Sequence, residues 1–429
     1  MISKISYILK LSIFGYSHTY KYLVKATNLL FLENINMKIG ILTFWRSNDN
    51  YGQVLQCYAL QKYLSDNGYE PFLIRYDHTN APIRRNKKKV FLKIILIYPL
   101  INKIFDIVKN RKNKSFKKAI ELKNRQRRFD DFKSKYINKT EIVYKSLNEL
   151  RRNPPPADCY IVGSDQVWAK LLDNNENETY FLNFGSEKTL RVAYAASFAM
   201  KSYPTSLEDP LKKQLGRFDH ISVRESNGVD ICRKVGFDAI EAVDPTVLLT
   251  NKSYCNLISK TSLVPGPYMF VYHLNVATSA EMYWDEFLEL NKLSNMGIVA
   301  AASSGYIPGR EILGQAKYIY PSIEEWLSLI YHSEYVVTTS FHGVVFCILM
   351  NKNFVFIPLK GKHSTGNVRV ENFLNKIGLD FKIAWVNENA EKCLKMQIDW
   401  VEVNKKVGYL RKQSINYLKN CLYFKNKND

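Results

Sequence analysis

The fold is decided by residues 37–76, which run MKIGILTFWRSNDNYGQVLQCYALQKYLSDNGYEPFLIRY. Ile39 to Phe44 and Pro71 to Tyr76 are apolar runs of strand length. Between them, Tyr51 to Asn67 has its apolar residues near helical spacing, and Asn67-Gly68 is typical of a helix end. A strand, a helix and a strand in this order predict an α/β fold.

The same alternation of short apolar runs and amphipathic stretches continues almost to the end of the chain. It predicts two Rossmann-like doubly wound domains that face each other across a cleft. In such folds ligands bind outside the carboxyl ends of the strands, so strand-to-helix junctions are the candidate sites. The predicted organisation is an extension outside the fold at 1–36, an N-terminal domain at 37–217, and a C-terminal domain with terminal helices at 218–429.

The net charge of +21, from 61 Lys+Arg and 40 Asp+Glu, is concentrated in one block. Residues 81–152 hold 23 basic and 6 acidic residues and are predicted to form a helical insertion in the first domain. Apolar residues interleave with the charges, but they fall short of the roughly 20 needed to span a bilayer. The block is either a solvated helical face or a surface for an anionic partner, and we favour an anionic membrane.

Composition and missing motifs exclude several classes of protein. A chain of 429 residues that is 46% hydrophobic is long and apolar enough for two folded domains, not a disordered segment. Its seven cysteines form no C-x-x-C pair, which favours a reducing, cytoplasmic compartment. No dinucleotide fingerprint, P-loop or metalloprotease motif is present, so we predict neither a cofactor nor a metal.

The most informative junction is Val336 to Gly343, where an apolar strand meets a helix. Free backbone N–H groups at the helix start, together with the Ser340 hydroxyl and Gly343, can bind an anion. His342 at this point can exchange a proton near neutral pH. The alternative is that Ser340 only caps the helix and His342 is structural, and the sequence leaves both open.

The equivalent junction in the first half is Gly163-Ser164-Asp165-Gln166-Val167-Trp168. Asp165 could deprotonate a sugar hydroxyl, with Ser164 beside it and Trp168 as a platform for the apolar face of the sugar. Alternatively, Asp165 caps a helix and Trp168 belongs to the core.

Three further positions are candidate substrate ligands. Arg224 ends a predicted strand, and a guanidinium binds two oxygens of a carboxylate or phosphate at once. The alternative is a structural pair of Arg224 with its neighbour Glu225. Asn50 lies in the polar loop after the first strand. Arg369 ends the polar loop Lys362 to Arg369 and is a weaker candidate for the same anion.

Taken together, several short pieces resemble the polysaccharide pyruvyl transferase family from Met37 to about Asp380. They are Asn50-Tyr51-Gly52, Gly163-Ser164-Asp165-Gln166-Val167-Trp168, Ser222-Val223-Arg224-Glu225, Val243-Asp244-Pro245-Thr246, Ile323-Glu324-Glu325-Trp326 and Ser340-Phe341-His342-Gly343. The resemblance implies a GT-B-like fold of two Rossmann-like domains. It also implies a transferase that installs pyruvate from phosphoenolpyruvate across two hydroxyls of a sugar and releases phosphate. It further implies His342 as the acid, Arg224 as the anion ligand and Asp165 as the residue that handles the acceptor hydroxyl.

One position departs from the family pattern. The ketal-forming members resemble Arg-Leu-His where this chain has Ser340-Phe341-His342, so a guanidinium is lost, for which Arg369 or Lys362 could substitute. The expected partners are phosphoenolpyruvate as co-substrate, a sugar or lipid-linked oligosaccharide acceptor in surface polysaccharide biosynthesis, and a membrane surface bound through 81–152. The alternatives are a GT-B glycosyltransferase that uses a nucleotide sugar and, disfavoured for lack of a motif, a nucleic-acid-binding protein.

Overall fold

The computed structural model describes residues 37–45, 50–77, 118, 120–169, 177–385 and 389–423 of the 429-residue chain. These residues form two parallel sheets with helices packed around them. Within these ranges, no helix combines the length and the apolar character that crossing a membrane requires.

The first sheet has seven strands, all parallel, in the order β3-β2-β1-β4-β5-β6-β7. Its central strands are apolar throughout, because helices cover both faces of a doubly wound sheet. The strand order reverses between β1 and β4, which opens a crevice at their carboxyl ends. The strands are β1 (Lys38–Leu42), β2 (Glu70–Tyr76), β3 (Lys139–Tyr144), β4 (Cys159–Val162), β5 (Leu190–Ala196), β6 (His220–Val223) and β7 (Ile240–Glu241).

The second sheet has five parallel strands in the order β10-β9-β8-β11-β12. Its strand order reverses between β8 and β11, so the loops after these two strands flank a second crevice. The strands are β8 (Tyr268–His273), β9 (Gly297–Ala302), β10 (Lys317–Tyr318), β11 (Tyr335–Thr338) and β12 (Phe354–Phe356).

The helices connect the strands and cover the sheets. They are α1 (Tyr51–Asp66), α2 (Phe129–Tyr136), α3 (Leu147–Arg152), α4 (Glu208–Leu215), α5 (Ser226–Lys234), α6 (Pro245–Leu248), α7 (Asn251–Tyr254), α8 (Trp284–Ser294), α9 (Ile323–His332), α10 (Phe341–Leu349), α11 (Val368–Ile377), α12 (Ala390–Lys395) and α13 (Trp400–Tyr423). Polar side chains fix several helix starts, because they accept from otherwise unpaired N–H groups. Asn50 caps α1, and Ser322 with Glu325 forms a capping box at α9.

One continuous apolar cluster includes residues of both sheets. It contains Ile39 of β1 and Phe270 of β8, and the α1 residue Tyr51 connects the two sides. The Tyr51 ring stacks on Trp326 of α9 at 5.2 Å, and its hydroxyl donates to the carbonyl of Pro321 at 2.7 Å. The two sheets therefore share a core and hold the cleft between them.

Comparison with the sequence predictions confirms the two doubly wound parallel sheets. The first sheet extends beyond the predicted boundary at 217, because β6 pairs with β5 and β7 pairs with β6. The predicted helical insertion at 81–152 also contains the strand β3, which pairs with β2. The rest of that block up to 117, residue 119 and the extension at 1–36 lie outside the described residues.

Candidate functional site

An open cleft of about 270 Å³ lies between the two sheets, at the carboxyl ends of their central strands. Loops after β1, β4, β8 and β11 contribute to its walls, as expected for ligand sites in doubly wound folds. The polar residues that line it include Asn50, Gln53, Asp165 and Gln166 from the first sheet's side and Ser340, His342, Lys362, His363 and Arg369 from the second.

Arg224 lies at the centre of a buried ion cluster beside this cleft, its side chain 2% exposed. Its Nη1 donates to Asp244 at 2.8 Å, Nη2 lies 3.7 Å from Asp165 and Nε lies 3.8 Å from Glu225. Burial lowers the pKa of the guanidinium, but the three carboxylates outweigh burial and raise that pKa. Nε and Nη2 have no hydrogen-bond partner in the described part of the chain, so Arg224 retains donors for a ligand.

His342 forms an ion pair with a second member of the cluster, Asp244, whose Oδ2 lies 3.4 Å from Nε2. Burial raises the pKa of Asp244, but the charges of His342 and Arg224 outweigh it and hold that pKa well below its usual range. Asp244 also accepts from the Ser164 hydroxyl at 3.2 Å and from the Thr246 hydroxyl at 2.7 Å. An ionised, fixed carboxylate therefore faces the imidazole.

Helix α1 packs directly on the imidazole through a glycine. A Cβ atom at Gly52 would lie 2.0 Å from Nδ1 of His342, far inside any real contact distance. Only glycine therefore allows the first turn of α1 to approach the ring. The contact joins the first sheet's side of the cleft to the second and limits the orientations that the ring can adopt.

Ser340 caps helix α10, and capping is one of the two interpretations that the sequence left open. The Gly343 N–H donates to Ser340 Oγ at 3.2 Å, so this N–H is engaged within the protein. Gly343 is needed for packing, because a Cβ there would lie 2.5 Å from the Thr338 hydroxyl. Ser340 also lines the cleft, and its binding of an anion stays a prediction.

A second guanidinium, that of Arg369, lines the cleft. It approaches Asp165 at 3.9 Å, and the Phe341 ring lies 5.7 Å from its Cζ and 4.7 Å from that of Arg224. Burial, and secondly the charge of Arg224, lower the pKa of Arg369 to about 10. Arg224 is not part of the cleft lining, so Arg369, the weaker candidate in the sequence, is the guanidinium that a ligand in the cleft meets.

The predicted site residues that follow β4 lie in three different environments. Asp165 lines the cleft, and Ser164 is fully buried and donates to the carbonyl of Ala195 at 2.8 Å. Trp168 is also buried: its ring stacks on Phe181, and its indole N–H donates to a backbone carbonyl. The structure thus places Trp168 in the core, not in the cleft as a sugar platform, because this loop turns its aromatic residue back under the sheet.

Sequence reasoning assigned no functional role to Asp244, Glu225 and Gly52, although all three lie in the pieces that carry the family resemblance. The Asp244-Pro245 pair is typical of a helix start, and Asp244 does cap α6, which concealed its contacts with Arg224 and His342. Burial raises the pKa of Glu225, although Arg224 opposes this, and its Oε2 has no partner among the residues described. The sequence did contain one signal for Glu225 and Asp244, because both are charged residues that follow short strands.

Comparison with known proteins identifies one family. The sequence model described as polysaccharide pyruvyl transferase matches residues 50–361, most of the chain. This range includes every residue of the cleft named above except Lys362, His363 and Arg369. A comparison with curated protein sequences finds no match.

Solved structures similar to the chain are distant in sequence. UDP-N-acetylglucosamine 2-epimerase from Rickettsia bellii is 11% identical, with 92% of this chain and 99% of that chain covered and a TM-score of 0.46. The S. aureus MnaA–UDP co-structure is 11% identical, over 91% and 97%, with a TM-score of 0.45. The Neisseria meningitidis UDP-GlcNAc 2-epimerase bound to UDP-GlcNAc is 10% identical, over 91% and 99%, with a TM-score of 0.43.

Proposed function

We propose, since the chain belongs to the polysaccharide pyruvyl transferase family and is a transferase, that it moves pyruvate from phosphoenolpyruvate onto two hydroxyls of a sugar as a ketal. The observation that carries this proposal is the pairing of His342 with ionised Asp244 in a cleft that also holds Arg369. A proton donor beside an anion-binding group is what protonation of an anionic enol ester requires.

The donor binds on the second sheet's side of the cleft in this proposal. Phosphoenolpyruvate carries a phosphate and a carboxylate, and Arg369 and Lys362 both line that wall. Arg224 lies behind Phe341 and is held by carboxylates there, so Arg369 is the guanidinium that meets the donor in this proposal. Arg369 thereby replaces the guanidinium that Ser340 does not provide.

The reaction then proceeds through two additions to one carbon. Protonated His342 donates its proton to the methylene carbon of phosphoenolpyruvate, while the first sugar hydroxyl attacks the central carbon and gives up its proton to Asp165. The bond from that carbon to the phosphate oxygen breaks, and the second hydroxyl attacks the resulting oxocarbenium centre. Inorganic phosphate leaves with one hydroxyl proton, and the other proton returns to His342 by way of Asp165, so that the methyl group, the ketal and the phosphate balance.

The acceptor binds on the first sheet's side. Asn50, Gln53 and Gln166 present amides beside Asp165, and amide and carboxylate groups suit sugar hydroxyls. We assign the reaction to surface polysaccharide biosynthesis, with a sugar or lipid-linked oligosaccharide as acceptor. The basic block at 81–152 would hold the enzyme on the cytoplasmic face of an anionic membrane.

Thermal stabilisation by candidate donors tests the proposal. The purified chain is heated with phosphoenolpyruvate, UDP or GDP, and a ligand at about a hundredfold its Kd raises stability by roughly 2.7 kcal/mol. We expect stabilisation by phosphoenolpyruvate and its loss in Arg369→Ala. Arg233→Ala is the matched control, because Arg233 is an exposed arginine paired only with Asp230 within the described structure.

Stabilisation by UDP or GDP but not by phosphoenolpyruvate would overturn the proposal in favour of a glycosyltransferase. Equal stabilisation of the wild type and Arg369→Ala by phosphoenolpyruvate would place the donor outside this cleft. Release of inorganic phosphate from phosphoenolpyruvate, measured with a panel of sugar acceptors, then identifies the acceptor.

A further inference from the structure

A second open cavity, also of about 270 Å³, lies at the opposite end of helix α10 from the cleft. Its walls are the C-terminal end of α10, residues 250–251 at the start of α7 and one face of α13. Asn404, Val407 and Arg411, spaced three and four residues apart, form that face. Helix α10 has nine residues and is about 13 Å long, so this space, called here the α13 cavity, is separate from the cleft at Ser340.

Arg411 is the one charged side chain among the described residues that line the α13 cavity. Its Nε donates to the carbonyl of Val247, whereas its two Nη atoms donate to no described residue and are not fully buried. Burial lowers the pKa of Arg411, the neighbouring Tyr254 opposes this, and no described carboxylate contributes. Arg224 and Arg369 differ in this respect, because both lie within ion-pairing distance of Asp residues. Arg411 therefore retains both its charge and its donors for a ligand.

The end of helix α10 reduces this positive charge without cancelling it. The last carbonyls of a helix carry roughly half a negative charge, against the full positive charge of a guanidinium. About half a positive charge remains, so the α13 cavity favours an anion. The same helix end also offers carbonyl oxygens that can accept from hydroxyl groups of a ligand.

Unused polar groups of uncharged side chains line the same cavity. Asn351 and Asn404 are exposed, and neither side chain has a hydrogen bond to another described residue. Asn251 uses only its Oδ1, which accepts from the Cys255 thiol, and the Thr250 hydroxyl does not cap α7. An amide both donates and accepts, which suits the hydroxyl groups of a sugar.

The rest of the lining is apolar and narrows the class of ligand. Ile348, Leu349 and Val407 are buried and line the cavity beside the polar groups. An inorganic phosphate would leave these apolar groups unused, and an aliphatic carboxylate would leave the amides unused. A ring with hydroxyl groups at its rim, C–H groups on its face and one carboxylate uses all of them.

We propose that the α13 cavity is a second binding site, for an acidic sugar that carries one carboxylate. The carboxylate accepts from the Nη atoms of Arg411, because a guanidinium binds two carboxylate oxygens at once. The ring hydroxyls pair with the amides of Asn351 and Asn404, and the C–H face of the ring contacts Ile348 and Val407. The site and its ligand do not depend on the donor assigned to the cleft.

The test measures binding of three probes by ligand-observed NMR in the millimolar range. Glucuronate is the acidic sugar, glucose is the neutral sugar, and inorganic phosphate is an anion without a ring. Arg411→Gln removes the charge, and its amide can still donate to the Val247 carbonyl. Asn404→Trp fills the cavity from an exposed position on α13. Asn416→Trp is the matched control, an exposed amide about three turns further along the same helix and outside the lining.

We expect Arg411→Gln and Asn404→Trp each to raise the Kd for glucuronate by about tenfold or more. Asn416→Trp should stay within about twofold of the wild type, and glucose should bind the wild type at least about tenfold more weakly than glucuronate. The Kd for phosphoenolpyruvate should change by less than about twofold in Asn404→Trp, because the two spaces are separate.

Three results would overturn the proposal. The first is the absence of saturable glucuronate binding to the wild type. The second is phosphate that competes with glucuronate and binds as tightly, because the cavity would then select only charge. The third is glucuronate binding that survives Asn404→Trp but is lost in Arg369→Ala, because the probe would then occupy the cleft. Glucuronate binding that both cavity variants remove, in a protein that phosphoenolpyruvate does not stabilise, would support the α13 cavity and refute the proposed donor.

Discussion

His342 depends on a single buried carboxylate for its proposed role as the acid. Asp244→Asn removes the negative charge that lies 3.4 Å from Nε2 and keeps the side-chain shape. We expect kcat to fall by about 10²-fold, because the proposed acid loses the buried carboxylate that pairs with it. The KM for phosphoenolpyruvate should change by less than about threefold, because Asp244 does not line the cleft.

Thermal unfolding and the KM separate this role from a structural one. A loss of activity that accompanies a lower melting temperature and a raised KM would show that Asp244 only supports the fold. Thr246→Val is the control, since it removes a hydroxyl that donates to Asp244 at 2.7 Å and leaves the charge in place. It should reduce kcat by no more than about tenfold.

Arg369 is predicted to be the guanidinium that binds the donor in place of the arginine expected at position 340. Arg369→Ala should raise the KM for phosphoenolpyruvate by about tenfold or more, because a charge-assisted hydrogen bond to the anion is lost. Lys362→Ala, at an exposed position on the same wall, should have a smaller effect. Steady-state kinetics measure both, and a larger effect of Lys362→Ala would reverse the assignment.

His273 gives the protein a pH-dependent stability. Burial at the end of β8 lowers the pKa of His273 to about 4, and its Nε2 lies 3.0 Å from the Tyr318 hydroxyl. In the unfolded chain its pKa is near 6.5, so below that pH the unfolded state binds the proton first. The free energy of unfolding should fall by up to about 3 kcal/mol between pH 6.5 and 4, with no contribution above 6.5. His273→Gln should lose this part of the pH dependence in chemical denaturation, and an unchanged profile would contradict the prediction.

At the level of elements, the contact of helix α1 with His342 places one wall of the cleft. Gly52→Ala puts a Cβ atom 2.0 Å from Nδ1 of the imidazole, so the helix or the ring must move. We expect a loss of activity of about 10²-fold and a loss of stability of about 1–3 kcal/mol. Gly408→Ala in α13 is the control, because a Cβ there meets nothing within 4 Å, and it should stabilise by about 0.5–1 kcal/mol. Thermal unfolding and steady-state kinetics of both variants test these expectations. A fully active Gly52→Ala would show that the contact between α1 and His342 is not needed for activity.

The arrangement of strands and helices was only partly predictable from the sequence. The apolar runs predicted the central strands, and the junctions after β1, β4 and β11 do meet at one cleft, because carboxyl ends of parallel strands share an edge. The strand β3 was missed because KTEIVY is half exposed and lies in a charged block. Asp244 and Trp168 could not be placed, since each depends on tertiary contacts that no local pattern encodes.

For the whole molecule, the relative position of the two sheets depends on the shared core and on one small contact, called here the clasp. In the clasp, residues 120–128 lie against the loop 303–306 that follows β9. Asn124 accepts from the Tyr306 N–H at 2.8 Å and donates to the Tyr306 carbonyl at 3.4 Å. Arg127 stacks on Tyr51 and donates to the Ser303 carbonyl at 3.2 Å. Any opening of the cleft that separates these segments must break these bonds.

Asn124→Ala should therefore loosen this contact without unfolding either sheet. Two hydrogen bonds of about 1 kcal/mol each are lost, and the free energy of unfolding should fall by about 1–3 kcal/mol. The Tyr306 amide, which donates to Asn124, should exchange its hydrogen about tenfold faster or more, while the amides of β8 keep their protection. Arg125→Ala is the control, because that exposed side chain pairs with exposed Glu121 and such a pair contributes little. Equal exchange at Tyr306 in the two variants would show that the shared core alone holds the sheets, whereas faster exchange confined to 303–306 would show that the clasp contributes to holding them.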